Sequence, residues 1–83
     1  MAEVLARVRA VPEGRVAAYS DITPHAPRHA GRVLAASHEP DVPWHRIVRA
    51  DGSLPKGARQ KERLVAEGVR FVGERVDMSR FRA

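Results

Sequence analysis

The chain contains no cysteine among its 83 residues, and this absence removes several classes of protein. It excludes a disulfide framework and a thiolate metal site. No apolar run approaches the roughly 18 residues of a membrane span, and no charged-then-apolar leader opens the chain. We therefore expect a cytoplasmic, monomeric protein without a membrane partner. The length predicts one domain over residues 1–83 with a modest core.

Lysine is nearly as scarce, because only Lys56 and Lys61 are lysines among 15 basic residues and the rest are arginines. Only 10 residues are acidic, which leaves a net charge of +5. Arginine binds phosphate bidentately and stacks on bases better than lysine does. A GC-rich genome also enriches arginine, but it does not explain why the net charge is positive. The charge predicts a nucleic-acid partner. Several of the arginines cluster, at Arg28, Arg32, Arg46 and Arg49.

Helical spacing of apolar residues marks the start of the chain. The residues with this spacing are Val4, Leu5, Val8 and Val11. The stripe predicts a helix over residues 2–10 that stops before Pro12. An extended link over residues 15–19 follows, and Ser20 is predicted to cap a brief turn over residues 21–23.

A second helix is predicted from Pro27 to about Ser37, because proline suits the first helical position. Arg28 and Arg32 share its outer face, since they lie four residues apart. Its predicted inner face comprises Ala30, Val33, Leu34 and Ser37. A brief turn followed by a helix that carries two outward arginines is typical of a helix-turn-helix DNA reader.

The second half of the chain carries shorter signals. Ile47-Val48 and the turn dipeptide Asp51-Gly52 predict a small β-hairpin, or wing, over residues 47–54. A helix is predicted over residues 58–67, with Gly68 as its stop and a thin apolar stripe. That stripe comprises Ala58, Leu64 and Val65. The tail from Val69 predicts no regular structure, but we expect Phe71 and Phe81 to pack back onto the helices.

Four segments together resemble the O6-alkylguanine-DNA alkyltransferases, which move an alkyl group from guanine onto their own cysteine. The segments are Val11-Pro12-Glu13-Gly14-Arg15-Val16, Tyr19-Ser20-Asp21-Ile22, residues 27–36, and Pro43-Trp44-His45-Arg46-Ile47-Val48. Any one is weak, but their order and spacing are specific. The resemblance implies a mainly α fold, a winged-helix-like helix-turn-helix domain with a small β-hairpin.

Trp44 stands where the family carries its reactive cysteine. An indole is not a thiolate and cannot accept an alkyl group by displacement. The chain is therefore most similar to the alkyltransferase-like proteins, which bind the damaged base without repairing it. The resemblance implies a non-enzymatic sensor that flips O6-alkylguanine out of double-stranded DNA and marks it for nucleotide excision repair proteins. It implies no catalytic residue, metal or cofactor.

The resemblance also assigns DNA contacts to individual residues. Tyr19 matches the tyrosine that contacts the phosphate 3′ to the lesion and helps to rotate the nucleotide. Arg28 matches the finger arginine that fills the gap left by the flipped base. Gly31 matches the helix glycine that lets the backbone approach DNA, and Arg32 is assigned to phosphate contact. The family docks in the minor groove, whereas the arginines alone would favour the major groove.

The same resemblance predicts a pocket for the alkylguanine. Trp44 forms its apolar wall and Pro43 holds the turn that presents it. His45 is expected to make a structural hydrogen bond and to lack a carboxylate partner. Lys56 and Arg59 are both candidates for the cation that senses the modified base, and the sequence does not choose between them. Arg46 supports the loop, while the family's hinge asparagine is not evident in the Ser37-His38-Glu39 region.

Two other classes of protein remain as alternatives. A winged-helix transcription regulator would read one sequence through the same arginines. A zinc site could use His25 and His29, which stand four apart, but Pro27 lies between them and no third ligand is near. No serine lies in a nucleophile-elbow context.

Overall fold

The computed structural model describes residues 2–37 and 41–83. Helix α1 spans Ala2–Arg9, close to the predicted range. It buries Val4, Leu5 and Val8 against the rest of the first core cluster. The predicted apolar stripe is confirmed, because a helix of 3.6 residues per turn brings these positions onto one face.

The short strand β1, Ala17–Ala18, leads directly into helix α2, Tyr19–Ile22. The prediction that Ser20 caps this turn is wrong. The helix begins two residues earlier than predicted, with Ala18 at the N-cap, so Ser20 lies inside it. The Asp21 carboxylate instead accepts a hydrogen bond of 2.9 Å from the backbone N–H of Ala18, which satisfies a donor that the first turn leaves open.

Helix α3, Pro27–Ala36, begins at the predicted proline and ends one residue before Ser37. Ala30 and Val33 are buried, whereas Arg28 and Arg32 are exposed. Helix α2 packs against α3, and the pair forms the predicted helix-turn-helix. The exposed arginines therefore project from the second helix of the motif.

The hairpin predicted over residues 47–54 is not formed there. Strand β2, Ile47–Val48, instead pairs in parallel with β1, in the register Ala17–Ile47 and Ala18–Val48. A turn at Gly52 follows, but the chain does not return as a strand. Pro55 has no N–H to donate, and the Gly52 carbonyl accepts a hydrogen bond from Val76 of the tail.

Helix α4, Ala58–Ala66, ends as predicted, with Gly68 in the left-handed region at φ +88°. The predicted apolar stripe is only partly correct. Leu64 is fully buried, but Ala58 is exposed and Val65 is 55% exposed. The other buried residue of α4 is the polar Gln60.

The tail contains the only antiparallel hairpin among the described residues. Strand β3, Phe71–Val72, pairs with β4, Arg75–Val76, and helix α5 spans Met78–Phe81. The expected packing of Phe71 and Phe81 is confirmed. They lie against the second core cluster, formed by Val16, Val48, Leu64, Val69 and Val76.

The mainly α helix-turn-helix architecture is thus as predicted, with its hairpin in the tail. None of the helices within residues 2–37 and 41–83 has the length and apolar character needed to cross a membrane.

Candidate nucleic-acid interface

A cleft of about 440 Å³ opens between the helix-turn-helix and the loop that precedes α4. Its lining residues are Tyr19, Gly31, Leu34, Ala35, Trp44, Pro55, Lys56 and Arg59. The fold therefore brings together five residues that the sequence singled out, Tyr19, Gly31, Trp44, Lys56 and Arg59, from four separate segments. Cavities of roughly 300–1,000 Å³ are typical of small-ligand sites, so the cleft has room for one base.

Tyr19 enters the cleft because β1 ends immediately before it. Its ring is half-buried and packs against the first core cluster. Burial raises the pKa of the Tyr19 phenol, and the nearby Arg49 cation offsets part of that rise. The phenol therefore keeps its proton at neutral pH and can donate it to a phosphate oxygen.

Arg49 is a cation at the interface whose position the sequence did not predict. Strands β1 and β2 are parallel, and Ala18 pairs with Val48. Tyr19 and Arg49 directly follow these two residues, so they lie at the same end of the strand pair. The Arg49 guanidinium is exposed, and its Nη1 lies 3.4 Å from the hydroxyl of Ser53. Arg49 therefore adds positive charge beside the Tyr19 phenol.

Gly31 presents bare backbone to the cleft. A Cβ built at this position would meet only Cε1 of Tyr19, at 3.9 Å, which is an ordinary van der Waals distance. Internal packing therefore does not require glycine here. Arg28 and Arg32 lie on the same helix but outside the cleft, exposed to solvent.

Trp44 lies in a short 3₁₀-helix over Trp44–Arg46. The guanidinium carbons of Arg59 and Arg63 stand 5.7 and 5.3 Å from its ring centroid. His45 meets the indole edge-on, with ring centroids 5.9 Å apart. Arg59 is thus both a cleft residue and a ring partner, whereas Lys56 only lines the cleft. No motif in the sequence marked Arg63, although its i, i+4 spacing from Arg59 places the two arginines on one face of a helix.

Pro43 and His45, which were predicted to belong to the pocket with Trp44, do not line the cleft itself. They lie in a second, shallower depression of about 410 Å³. Its lining residues are Arg9, Asp41, Val42, Pro43, His45, Arg46 and Arg63. Successive side chains of a 3₁₀-helix diverge by about 120°. When Trp44 faces the cleft, His45 therefore faces away from it.

The expectation that His45 lacks a carboxylate partner is wrong. Nε2 of His45 lies 2.6 Å from Oε2 of Glu67, at the C-terminal end of α4. The same carboxylate accepts hydrogen bonds from Arg46 and from the backbone N–H of Gly14. Burial alone would raise the pKa of Glu67, but the hydrogen bonds from Arg46, His45 and Gly14 outweigh it and lower the pKa to about 2.

Arg46 has the structural role expected of it. Its Nε and Nη2 donate to Glu67 at 3.0 and 2.9 Å, and its Nη1 donates to the carbonyl of Val11 at 3.0 Å. These bonds join the end of α1, the 3₁₀-helix and the end of α4. The loop that carries Trp44 is therefore anchored from behind.

Gln60 also holds the loop that carries Trp44, and the sequence did not predict this role. Its side-chain amide is fully buried and donates to the carbonyls of His45 and Ile47, at 3.1 and 2.7 Å. Its oxygen accepts from the N–H of Lys56 at 3.2 Å. A buried polar group with all its partners stabilises one arrangement of the chain.

The proposed zinc pair is separated by the start of α3. His25 precedes the helix and His29 lies within it. Within residues 2–37 and 41–83, no cluster of three or more histidine, aspartate or glutamate side chains could hold a metal ion. In the region where the hinge asparagine was sought, Ser37 caps α3, while His38 and Glu39 lie outside the described residues.

Residues 1–69 match the family described as "6-O-methylguanine DNA methyltransferase, DNA binding domain". The chain belongs to this family. Its relatives within the methyltransferase family include the "DNA base-flipping protein" of Escherichia coli K12, 38% identical over 86 aligned positions. That alignment covers 90% of this chain and 67% of the relative.

Another relative is "Alkyltransferase-like protein 1" of Schizosaccharomyces pombe, 35% identical over 71 positions, or 71% of this chain and 66% of the relative. Two solved structures have the same fold. Schizosaccharomyces pombe Atl1 in complex with damaged DNA containing O6-carboxymethylguanine superposes with a TM-score of 0.83 at 26% identity. A second complex of that protein with DNA gives 0.81 at 25%. Each covers 99% of this chain and 92% of the solved chain.

Proposed function

We propose that this chain senses O6-alkylguanine in double-stranded DNA, rotates the modified base out of the helix and holds it beside Trp44 without chemistry. The observation that carries the proposal is the Trp44-walled cleft, which lies next to Tyr19 and the bare backbone of Gly31. The cleft combines an apolar ring, for the alkyl group, with two cations at its rim.

The absence of chemistry follows from the residue at the reactive position. The family's alkyl acceptor is a cysteine thiolate, and this chain contains no cysteine. The indole of Trp44 offers no comparable nucleophile at neutral pH. His45 faces away from the cleft and is engaged by Glu67, so its ring supports the loop instead of activating a nucleophile.

Docking onto DNA would use the exposed cations that surround the cleft. Arg28 and Arg32 project from α3, and Arg49 lies beside the Tyr19 phenol. Rotating a base out of the stack costs a few kcal/mol. Insertion of Arg28 into the vacated space and contacts in the cleft would offset that cost. The relatives named for base flipping and solved with damaged DNA support this assignment.

The deciding experiment is competition binding in one duplex that carries O6-methylguanine, O6-benzylguanine or guanine at one position. We expect both modified duplexes to bind more tightly than the unmodified one. Mass spectrometry after incubation should show no added mass on the chain. Equal binding of all three duplexes, with strong dependence on the flanking sequence, would instead favour a winged-helix transcription regulator. A covalent adduct would show that the chain is an enzyme.

We further propose that one copy binds each lesion and that the complex is recognised by nucleotide excision repair proteins. The proposal rests on the resemblance to alkyltransferase-like proteins and on a cleft formed within a single chain. Sedimentation of the complex should give one chain per duplex. Addition of a purified excision-repair damage-recognition protein should then yield a heavier complex only on modified DNA. Two chains per duplex would contradict binding of one copy per lesion. The lack of a heavier complex would contradict recognition by excision-repair proteins.

A further inference from the structure

Trp44 is held by two arginines that lie one helical turn apart on α4. Arg59 lines the cleft, so its contact with the ring belongs to the base-binding site. Arg63 does not line the cleft, yet its guanidinium carbon is the nearer of the two, at 5.3 Å from the ring centroid. Arg63 therefore contacts the ring from outside the cleft.

No carboxylate among the described residues forms an ion pair with Arg63, although Arg9 and Arg46 in the same depression both do. A guanidinium without a competing anion is free to stack on an aromatic face. The ring of Trp44 is therefore the partner that the structure gives to Arg63.

Trp44 lines the cleft and does not line the second depression, which Arg63 shares with Pro43 and His45. The ring of Trp44 is only half-buried, so close packing does not confine it on every side. Contacts with neighbouring side chains, such as those with Arg59 and Arg63, are then what opposes rotation of the ring.

We propose that Arg63 is a positioning residue that holds Trp44 as a fixed wall and thereby limits the size of the O6 substituent that the cleft accepts. The inference rests on the proposed function for its selectivity part, but the positioning part concerns the free protein. Without Arg63, the indole loses one of its two cation contacts and can turn away from the cleft, which then widens. An exposed cation–π contact corresponds to about a two- to five-fold change in an equilibrium constant, which sets the expected effect.

The positioning part can be measured in the free chain, because Trp44 is its only tryptophan. Quenching of its fluorescence by acrylamide, a neutral molecule, reports how open the ring is without responding to charge. We expect Arg63→Ala to raise the quenching constant and Arg63→Lys to raise it less. Arg70→Ala is the matched control, since Arg70 is exposed and lines neither space. Equal quenching in the wild type and Arg63→Ala would overturn the proposal.

The selectivity part is measured as the ratio of dissociation constants for O6-benzylguanine and O6-methylguanine in one duplex. We expect Arg63→Ala to shift the ratio about two- to five-fold towards the larger group, and Arg70→Ala to leave it unchanged. Equal weakening for both adducts would reduce Arg63 to a general DNA-attracting charge and overturn the selectivity claim. Thermal melting by circular dichroism confirms that each variant is folded.

These experiments distinguish a failure of the Arg63 proposal from a failure of the proposed function. If the wild type does not distinguish alkylated from plain guanine, the proposed function is wrong and the selectivity claim falls with it. Acrylamide quenching would still decide whether Arg63 positions Trp44.

Discussion

Nε2 of His45 lies 2.6 Å from the carboxylate of Glu67, and only 11% and 13% of the two side chains are exposed. The contact joins the 3₁₀-helix that carries Trp44 to the end of α4. Arg46 donates to the same carboxylate. A carboxylate buried with several donors is favourable only while it is ionised, so this cluster makes the stability of the site depend on pH.

Glu67→Gln tests that dependence. The pKa of Glu67 in the folded chain is about 2, below its ordinary value of 4.5. Because the folded value is lower, the carboxylate stabilises the fold above about pH 4.5, and this contribution is lost as pH falls towards 2. At pH 7 the variant should lose roughly 2 kcal/mol or more of its free energy of unfolding, measured by urea titration.

The control for this prediction is Glu62→Gln, an exposed glutamate on the same helix. It removes the same charge and should change stability little. The difference between the wild type and Glu67→Gln should shrink as pH falls below about 4.5 and close only near pH 2. A difference between them that stayed constant from pH 7 to pH 2 would show that the carboxylate charge is not what stabilises the cluster.

The elements that the sequence predicted well are those with local signals. The apolar spacing of α1, the proline that starts α3 and the glycine that stops α4 each act within one or two turns. Strands β3 and β4 have two residues each, which is too short for an alternating pattern. Their pairing depends on packing against Val16 and Val48, which lie far away in the sequence.

The partners of the site residues were hidden for a similar reason. Glu67 follows His45 by 22 residues, and Gln60 reaches the carbonyl of the same histidine across 15. No periodicity links positions that only tertiary folding brings together. The family motifs located Tyr19, Gly31 and Trp44, whereas the side chains that hold them in place became apparent only from the folded arrangement.

Gly31→Ala tests whether glycine at this position serves the stability of the fold or the binding of DNA. In the interior of a helix, alanine is about 0.8–1 kcal/mol more favourable than glycine. The added Cβ would meet Tyr19 at an ordinary 3.9 Å. We therefore expect the variant to be as stable as the wild type or more so. We also expect it to bind DNA more weakly, because the methyl group would occupy the surface that we propose to approach the duplex.

Ala36→Gly is the converse control, an exposed position on the same helix outside the cleft. It should lower the melting temperature and leave the affinity for DNA unchanged. If Gly31→Ala binds both damaged and undamaged duplexes as well as the wild type does, the close approach of α3 to DNA is not part of recognition.

Trp44→Cys places a thiol at the family's reactive position, next in sequence to a His45 that already pairs with Glu67. We expect the thiol to react readily with iodoacetamide, because the nearby Arg59 and Arg63 favour the thiolate. We nevertheless expect little or no alkyl transfer from O6-methylguanine in DNA. Loss of the indole enlarges the cleft and leaves the base unsupported, away from the reacting distance of about 3–3.5 Å.

Mass spectrometry distinguishes the two reactions of Trp44→Cys, since each adds a different mass. Ser53→Cys provides a partly exposed loop thiol for comparison of the iodoacetamide rates. Rapid methyl transfer from DNA to Trp44→Cys would show that one substitution alone separates this chain from a repair enzyme.

Arg28→Ala and Arg32→Ala are expected to differ, although both residues are exposed arginines on α3. If Arg28 fills the space left by the flipped base, its loss should weaken binding to the modified duplex by about 1–3 kcal/mol and affect the unmodified duplex less. If Arg32 contacts phosphate alone, its loss should weaken both duplexes equally and reduce the salt dependence of log K by about 0.9. Titrations of each variant at several salt concentrations measure both quantities. Equal losses on the two duplexes for Arg28→Ala would show that this arginine only attracts phosphate, and that another residue stabilises the vacated stack.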